Sequence, residues 1–314
     1  MSDELSYATA KDHPLKRAFM RAIENLSGRR KLLPLYRRWQ RDYVDKSPRM
    51  WSDALDLINT KLEVTAPDDW RMITPDVPLV IIANHPFGIA DGIAIMAIAE
   101  QLGRPYRVLV NSDLTRIPEM AAKALAIDFS ATRDAMQVNL KTRAEARRLL
   151  KAGTSIIIFP SGGVATAERT FGPAEDLPWK LFAARLIEQT NAQVLPIYFE
   201  GQNSALFHFV SRHSLTLRLS LLVCEFRYRI GTSIKAHIGR PVPCAELKRA
   251  AGDGALLDEL YLLVHRLAPG AADLPREQLQ ARPADVRRRF PWDGPPPTAG
   301  DKARGKEVAN TSAE

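Results

Sequence analysis

A histidine and an aspartate six positions apart, His85 and Asp91, form the pair best suited to chemistry in this 314-residue sequence. They follow the apolar run 79–83, which is typical of a buried strand, so the histidine is expected where a strand ends and the aspartate where a helix begins. An imidazole oriented by a carboxylate can take the proton of an alcohol near neutral pH, and this pattern indicates acyl-transfer chemistry. The structural alternative is that the two residues only hydrogen-bond a Pro-Gly turn and cap a helix.

A glycine pair follows a second strand-like run, residues 155–158. In the sequence Phe159-Pro160-Ser161-Gly162-Gly163, the glycines allow the backbone to approach a ligand, and their amides could face an anion or a developing oxyanion. The same turn also occurs without function. A third apolar run, residues 193–199, contains Pro196, and its alternative interpretation is a buried strand with one proline.

Taken together, these three segments resemble the lysophospholipid (glycerolipid) acyltransferase family over roughly residues 60–245. In that family four residues usually separate the histidine from the aspartate, whereas five separate His85 from Asp91. We expect the turn at residues 86–88 to absorb the extra residue. The resemblance implies that His85 is the general base, that Asp91 orients it, and that no covalent acyl-enzyme forms. Asn84 is expected to fix the turn or to donate a hydrogen bond.

The glycine-containing segment departs from the family pattern Phe-Pro-Glu-Gly-Thr-Arg, because Ser161 replaces the glutamate and Val164 replaces the arginine. Valine cannot grip a phosphate as an arginine fork does. Either another cation substitutes, or the acceptor lacks the usual glycerol phosphate. Arg133, alternatively an exposed residue near a helix start, and Arg169 are the nearest candidate cations. The predicted substrate-binding set is Asn84, Arg133, Ser161, Gly162, Gly163, Arg169 and Pro196, with Pro196 in the segment that lines the acyl site of the family.

The resemblance implies an O-acyltransferase that moves a fatty acyl chain from acyl carrier protein or coenzyme A to the hydroxyl of a lysolipid. Neither a cofactor nor a metal is expected, since the histidines lack zinc-ligand spacing. A serine hydrolase is disfavoured by the absence of a Gly-x-Ser-x-Gly elbow. Two acceptors stay open, lysophosphatidic acid and an amino-acid lysolipid such as lyso-ornithine lipid. The non-enzymatic alternative is a peripheral membrane-binding protein with the same fold.

The net charge of +8 is concentrated near the N terminus, where residues 16–41 hold nine basic residues and one acidic residue, so the rest of the chain is neutral overall. Apolar residues at helical spacing predict two helices there, and Tyr36, Trp39 and Tyr43 suit a membrane interface. We expect residues 1–58 to bind anionic lipid peripherally, at the cytoplasmic face of the inner membrane, with about 1 kcal/mol per basic residue. The alternatives are a packing helix with a solvated basic face and nucleic-acid binding, which no nucleic-acid module supports.

Short apolar runs alternate with helical patterns in residues 59–268, which predicts an α/β domain with a mostly parallel central sheet flanked by helices. Two cysteines, Cys224 and Cys244, indicate a reducing compartment. Residues 269–314 are rich in proline and polar residues and are predicted to be disordered. Strands are predicted at 79–83, 106–110, 126–129, 155–159, 193–199 and 233–238, and helices at 89–101, 118–125, 137–151, 179–190 and 255–267.

Overall fold

The computed structural model describes residues 13–26, 28–128, 132–252 and 254–279. The strands are β1 (Lys61–Thr65), β2 (Leu79–Ala83), β3 (Tyr106–Asn111), β4 (Ala124–Ile127), β5 (Ser155–Ile158), β6 (Thr166–Ala167), β7 (Ala174–Glu175), β8 (Gln193–Glu200) and β9 (Ser233–Ile238). The helices are α1 (Pro14–Leu26), α2 (Arg29–Asp42), α3 (Met50–Leu57), α4 (Ile89–Glu100), α5 (Pro118–Lys123), α6 (Arg133–Lys151), α7 (Phe182–Thr190), α8 (Ala205–Ser211), α9 (Leu215–Arg229), α10 (Cys244–Ala251), α11 (Leu256–His265) and α12 (Arg276–Leu279), with a 3-10 helix at Ser112–Arg116.

Seven strands form one sheet in the order β1-β9-β8-β2-β5-β3-β4. The five from β8 to β4 are parallel to one another, while β9 runs antiparallel to β8 and pairs in parallel with β1. The predicted α/β fold with a mostly parallel central sheet is therefore confirmed. In β2 and β5 every residue is buried, as expected for parallel strands that helices cover on both faces.

Two apolar layers cover the two faces of the sheet. Alternate residues of β2 point to opposite faces, so Leu79 and Ile81 join the cluster that holds α3 and α4, and Val80 and Ile82 join the one that holds α7 and α11. Parallel strands end at the same edge of a sheet, and the residues that follow β2, β5 and β8 meet there. We call this the catalytic edge.

The strands at 79–83 and 233–238 are confirmed residue for residue. Helix α6 begins at Arg133 rather than at 137, because the hydroxyl of Thr132 accepts a hydrogen bond from the Ala135 N–H at 3.1 Å and caps the helix. Helix α9 was not predicted. It is in contact with α1, α2, α4 and α8, so its apolar residues are distributed around the helix instead of along one stripe.

The basic N-terminal segment forms two helices, and α2 packs into the domain. The Trp39 ring centroid lies 5.1 Å from that of Trp51, its indole N–H donates to the Met50 carbonyl at 2.7 Å, and the Tyr36 hydroxyl donates to Glu119 at 2.8 Å. The prediction that Trp39 lies at a membrane interface is wrong, because its ring is buried in the protein interior, whereas Tyr36 is half-buried with its hydroxyl bonded to Glu119. The outward face of α2 carries the exposed side chains of Arg30, Lys31, Arg37, Arg38 and Arg41.

None of the helices in the described ranges is both long and apolar enough to cross a lipid bilayer. Most of the predicted disordered tail, residues 280–314, lies outside the described residues.

Candidate active site

The predicted pair comes together at the catalytic edge. The Nδ1 atom of His85 lies 3.1 Å from Oδ1 of Asp91, and the histidine side chain is 16% exposed while the aspartate is fully buried. The imidazole meets the carboxylate outside ordinary hydrogen-bond angles, and neither atom has another hydrogen-bond partner among the described residues. Contacts between a base and its orienting group are often loose without substrate and tighten when it binds. The carboxylate favours the tautomer with its proton on Nδ1, which leaves Nε2 as the base.

The turn between the two residues absorbs the extra position. Gly88 has φ 87°, a conformation that favours glycine, and this lets helix α4 begin at Ile89 with Asp91 in its first turn. The second carboxylate oxygen, Oδ2 of Asp91, accepts the Phe87 N–H at 2.8 Å. The carboxylate is thereby fixed from the turn side while Oδ1 faces the imidazole.

His85 is held from three other directions. Its ring stacks on Phe159, the residue after β5, with centroids 4.1 Å apart. The backbone N–H of His85 donates to the Asp176 carboxylate at 3.1 Å, and its backbone carbonyl accepts the Ala165 N–H at 2.7 Å. Asp176 is itself buried and accepts the Trp179 indole N–H at 2.9 Å. The histidine therefore has a fixed backbone and a supported ring, as a positioned base requires.

Asn84 connects two strands beyond the ends of their ladder. Its side-chain amide donates to the Phe199 carbonyl at 2.9 Å, and its side-chain oxygen accepts the Phe199 N–H at 2.7 Å. Both ends of the carboxamide are thus used within the protein. Asn84 thus donates a hydrogen bond, as expected, and the bond holds the start of the turn against β8.

The segment after β5 lies against the pair. Ser161 is buried, and its hydroxyl donates to the Gly163 carbonyl at 2.9 Å. Gly162 has φ 67°, a conformation that favours glycine, and a side chain at Gly163 would meet Leu177 Cδ1 at 2.9 Å and displace the end of that leucine. The N–H groups of Gly163 and Val164 donate to no acceptor among the described residues. Unused backbone donors of this kind are what an oxyanion requires.

Three predicted binding residues make no described contact with the pair. Arg133 is exposed at the start of α6, beyond β4, and β4 lies three strands from β2, or roughly 14 Å across the sheet. Arg169 is exposed in the turn between β6 and β7. Pro196 is buried within β8 opposite Ile82, roughly 10 Å before the level of His85.

Pro196 is tolerated in a central strand for a local reason. Its carbonyl accepts the Gly239 N–H at 3.0 Å, just past Ile238, where β9 ends. The N–H that proline lacks would point to the same side, where the ladder has already stopped, so no ladder hydrogen bond is lost. The residue shapes the sheet next to β9.

Two groups at this edge were not predicted from the sequence. Asp176 follows a two-residue strand, and no spacing in the sequence relates it to His85. Helix α9 supplies Arg218, whose guanidinium donates to the Val164 carbonyl at 2.5 Å and to the Thr166 hydroxyl at 2.6 Å. An arginine from a distant helix thus contacts the backbone at the position where the family motif has its own arginine.

A cleft and possible metal-binding clusters were also considered as candidate sites. A cleft of about 850 Å³, lined by residues that include Lys46, Arg104, Tyr106 and Lys123, lies at the opposite edge of the sheet, where β3 begins. No group of three or more His, Cys, Asp or Glu side chains in the described ranges could hold a metal ion.

Comparison with known proteins agrees with this arrangement. The Acyltransferase family model matches residues 61–200, which contain the pair, the glycine segment and β8. A lyso-glycine lipid O-acyltransferase of Phocaeicola vulgatus is 27% identical over 208 residues, which cover 60% of this chain and 67% of the relative. A lyso-glycine lipid O-acyltransferase of Bacteroides thetaiotaomicron is 27% identical over 164 residues, which cover 49% of this chain and 54% of the relative.

Among solved structures, the chain is similar to the 1-acyl-sn-glycerophosphate (LPA) acyltransferase PlsC from Thermotoga maritima. The sequence identity is 16% and the TM-score is 0.48, with 83% of this chain and 95% of the other covered.

Proposed function

We propose that this chain acts as a member of the lysophospholipid acyltransferase family and transfers a fatty acyl chain from an acyl thioester to the hydroxyl of an amino-acid lysolipid. The observation that carries the proposal is the 3.1 Å approach of His85 Nδ1 to the fully buried Asp91 carboxylate, within the residues that match the Acyltransferase model. The two related proteins from Phocaeicola vulgatus and Bacteroides thetaiotaomicron are both named lyso-glycine lipid O-acyltransferases.

In the proposed reaction, Nε2 of His85 takes the proton of the acceptor hydroxyl as that oxygen attacks the thioester carbonyl. Positioned proton transfer of this kind contributes about 10²- to 10⁴-fold in rate. The tetrahedral intermediate then expels the thiolate, which receives the proton from the imidazolium. Asp91 stabilises the imidazolium between these two steps. The products are the diacylated lipid and the free thiol of acyl carrier protein or coenzyme A.

The oxyanion of the intermediate needs hydrogen-bond donors close to the base. The N–H groups of Gly163 and Val164 are suitable, because they have no acceptor among the described residues and their segment is tied to His85 through Ala165. Ser161 serves this segment as an internal brace, since its hydroxyl is directed at Gly163.

The replaced arginine and the named relatives support the proposed acceptor class. Val164 is buried in an apolar cluster with Phe207 and Leu222, so its position cannot contribute a charge to a phosphate. The motif position itself therefore offers no contact to a phosphate, and the lyso-glycine lipid named for both relatives supports an amino-acid headgroup.

We also propose that the protein associates peripherally with the cytoplasmic face of the inner membrane. Five basic side chains project from the outward face of α2, and each contributes about 1 kcal/mol near an anionic lipid surface. Substituting Arg30 and Lys31 by glutamate is expected to reduce sedimentation with anionic vesicles, while neutral vesicles show no difference. Equal sedimentation of both proteins would refute this placement.

The acceptor is tested with purified protein and a panel of lysolipids built on glycine, on ornithine and on glycerol phosphate. Each is supplied with acyl-coenzyme A or acyl carrier protein thioester, and the acylated product is identified by mass spectrometry. We expect product from an amino-acid lysolipid. Product from lysophosphatidic acid alone would contradict the proposed acceptor, and no product from any lysolipid would contradict the proposed function.

A further inference from the structure

Helix α9 directs one row of side chains at the catalytic edge. Members of the row are four, three and four positions apart, which places them on one face of the helix. At the centre of the row, Leu222 packs against Val164. Close to its end, Glu225 accepts hydrogen bonds from the backbone N–H of Ser204 at 3.0 Å and from its hydroxyl at 2.5 Å. The row consists of Arg218, Leu222, Glu225 and Arg229.

The last residue of the row lies over the catalytic turn. The guanidinium carbon of Arg229 is 4.2 Å from the ring centroid of Phe87, which lies between His85 and Asp91 in the sequence. One Nη atom donates to the Gln202 carbonyl at 3.2 Å. The contact with a buried ring and one hydrogen bond restrict where the guanidinium can lie.

The Arg229 guanidinium has N–H donors that could bind an anion. Its buried Nε has no hydrogen-bond partner, and no carboxylate forms an ion pair with it, in the part of the chain that the structure describes. Burial lowers the pKa of Arg229, while the negative charges of Glu225 and Asp91 act in the opposite direction. An arginine keeps its proton in proteins, so a half-buried positive charge lies beside the catalytic turn without a paired anion.

The other arginines considered do not fit this role. Arg218 donates to the Val164 carbonyl and the Thr166 hydroxyl, so its guanidinium is engaged with the backbone of the glycine segment. Arg133 lies beyond β4, three strands from β2, and Arg169 is exposed in the turn between β6 and β7. Arg229 is therefore the arginine whose position and free donors fit an anion held next to the reacting hydroxyl.

We infer that Arg229 binds the anionic headgroup of the acceptor lysolipid and replaces the arginine that the family motif lacks here. The inference rests on the proposed function and names a specificity-determining residue for it. A lipid in which the amine of an amino acid is acylated keeps the α-carboxylate, and the planar fork of arginine matches a carboxylate with two hydrogen bonds. A phosphate monoester offers the same anionic chemistry, and so do the phosphates of the thioester donor.

The test compares Arg229→Gln, Arg229→Lys and wild type on two matched acceptors, a glycine lysolipid and its uncharged carboxamide analogue. We expect Arg229→Gln to lower kcat/KM by about 10- to 100-fold on the carboxylate acceptor, mainly through KM, because a hydrogen-bonded charge pair is lost. On the carboxamide the loss is expected to stay below about 3-fold, since no charge pair exists there to lose. Arg229→Lys keeps the positive charge without the planar fork, and its kcat/KM on the carboxylate acceptor is expected to lie between those of wild type and Arg229→Gln.

The controls separate recognition from structural support. Arg249→Gln removes an equal charge from the exposed face of α10 and is expected to leave kcat/KM unchanged on both acceptors. If the wild type uses lysophosphatidic acid, the same comparison is made against its uncharged monoacylglycerol, and the same discrimination is expected.

Equal losses on the charged and uncharged acceptors would overturn the inference, because Arg229 would then only brace Phe87. A rise in the KM of the thioester donor with an unchanged acceptor KM would also overturn it, because the guanidinium would then hold a donor phosphate. Wild-type protein that acylates no lysolipid would refute the proposed function before any variant is made, so the two failures are distinguishable.

Discussion

Replacing Asp91 by asparagine separates the orienting role of this carboxylate from its structural role. Asparagine has nearly the same shape, and its side-chain oxygen can still accept the Phe87 N–H that now lies 2.8 Å from Oδ2. The NH₂ group then faces His85 Nδ1 in place of Oδ1. Because a donor now faces Nδ1, that atom must act as an acceptor and the proton moves to Nε2, which can no longer take a proton from the acceptor hydroxyl.

The expected fall in kcat for Asp91→Asn depends on the burial of this side chain. Asp91 is fully buried, so water cannot replace the lost carboxylate oxygen. We expect kcat to fall by about 10³-fold, which corresponds to ~4 kcal/mol of transition-state stabilisation. The free energy of unfolding is expected to change by less than about 1 kcal/mol, because the hydrogen bond to Phe87 is kept. Asp91→Ala loses that bond as well and is expected to cost about 1–3 kcal/mol of stability.

The assay measures acyl transfer under saturating thioester and lysolipid, together with urea unfolding of each variant. Asp258→Asn is the matched control, since Asp258 also lies in the first turn of a helix but is exposed on α11, away from the pair. Asp91→Asn protein with more than about a tenth of wild-type kcat would refute the orienting role. A loss of activity that only parallels a loss of stability would also refute the orienting role of Asp91.

Two further predictions concern stability. Asn84→Ala removes both partners of the Phe199 backbone groups, so the free energy of unfolding is expected to fall by about 2–4 kcal/mol in urea denaturation; a change below about 0.5 kcal/mol would contradict this bridge. Burial lowers the pKa of His208 from 6.5 to about 4, with nearby Arg218 acting in the same direction, so the unfolded chain binds more protons between these values. Stability is therefore expected to decrease as pH falls from about 6.5 to 4, by up to ~3 kcal/mol. His208→Gln, but not His213→Gln, should flatten that slope, and an unchanged slope in His208→Gln would count against the shift.

Local patterns in the sequence predicted the parts of the fold that local interactions determine. Strand β2 is a continuous apolar run that helices cover on both faces, and Asp91 follows a Pro-Gly turn at a helix start. The end of one strand and the start of the next helix place His85 and Asp91 within reach of each other, so their approach was predictable from residues 79–91 alone.

Contacts between distant segments were not predictable in this way. Asp176 binds the backbone of His85 across 91 positions, and Arg218 reaches Val164 across 54. Helix α9 packs against several elements at once, so it has no single apolar stripe to reveal it. The membrane interpretation of Trp39 was wrong for a related reason, because its partner Trp51 belongs to another helix.

The central claim is that His85 is the general base of acyl transfer. The most direct measurement is the acyl-transfer rate of purified His85→Gln protein compared with wild type, after circular dichroism has shown the same fold, with His208→Gln at neutral pH as the histidine control. We predict a fall of about 10²- to 10⁴-fold for His85→Gln and a rate close to wild type for the control. A folded His85→Gln protein that transfers acyl chains within a few-fold of the wild-type rate would contradict the account.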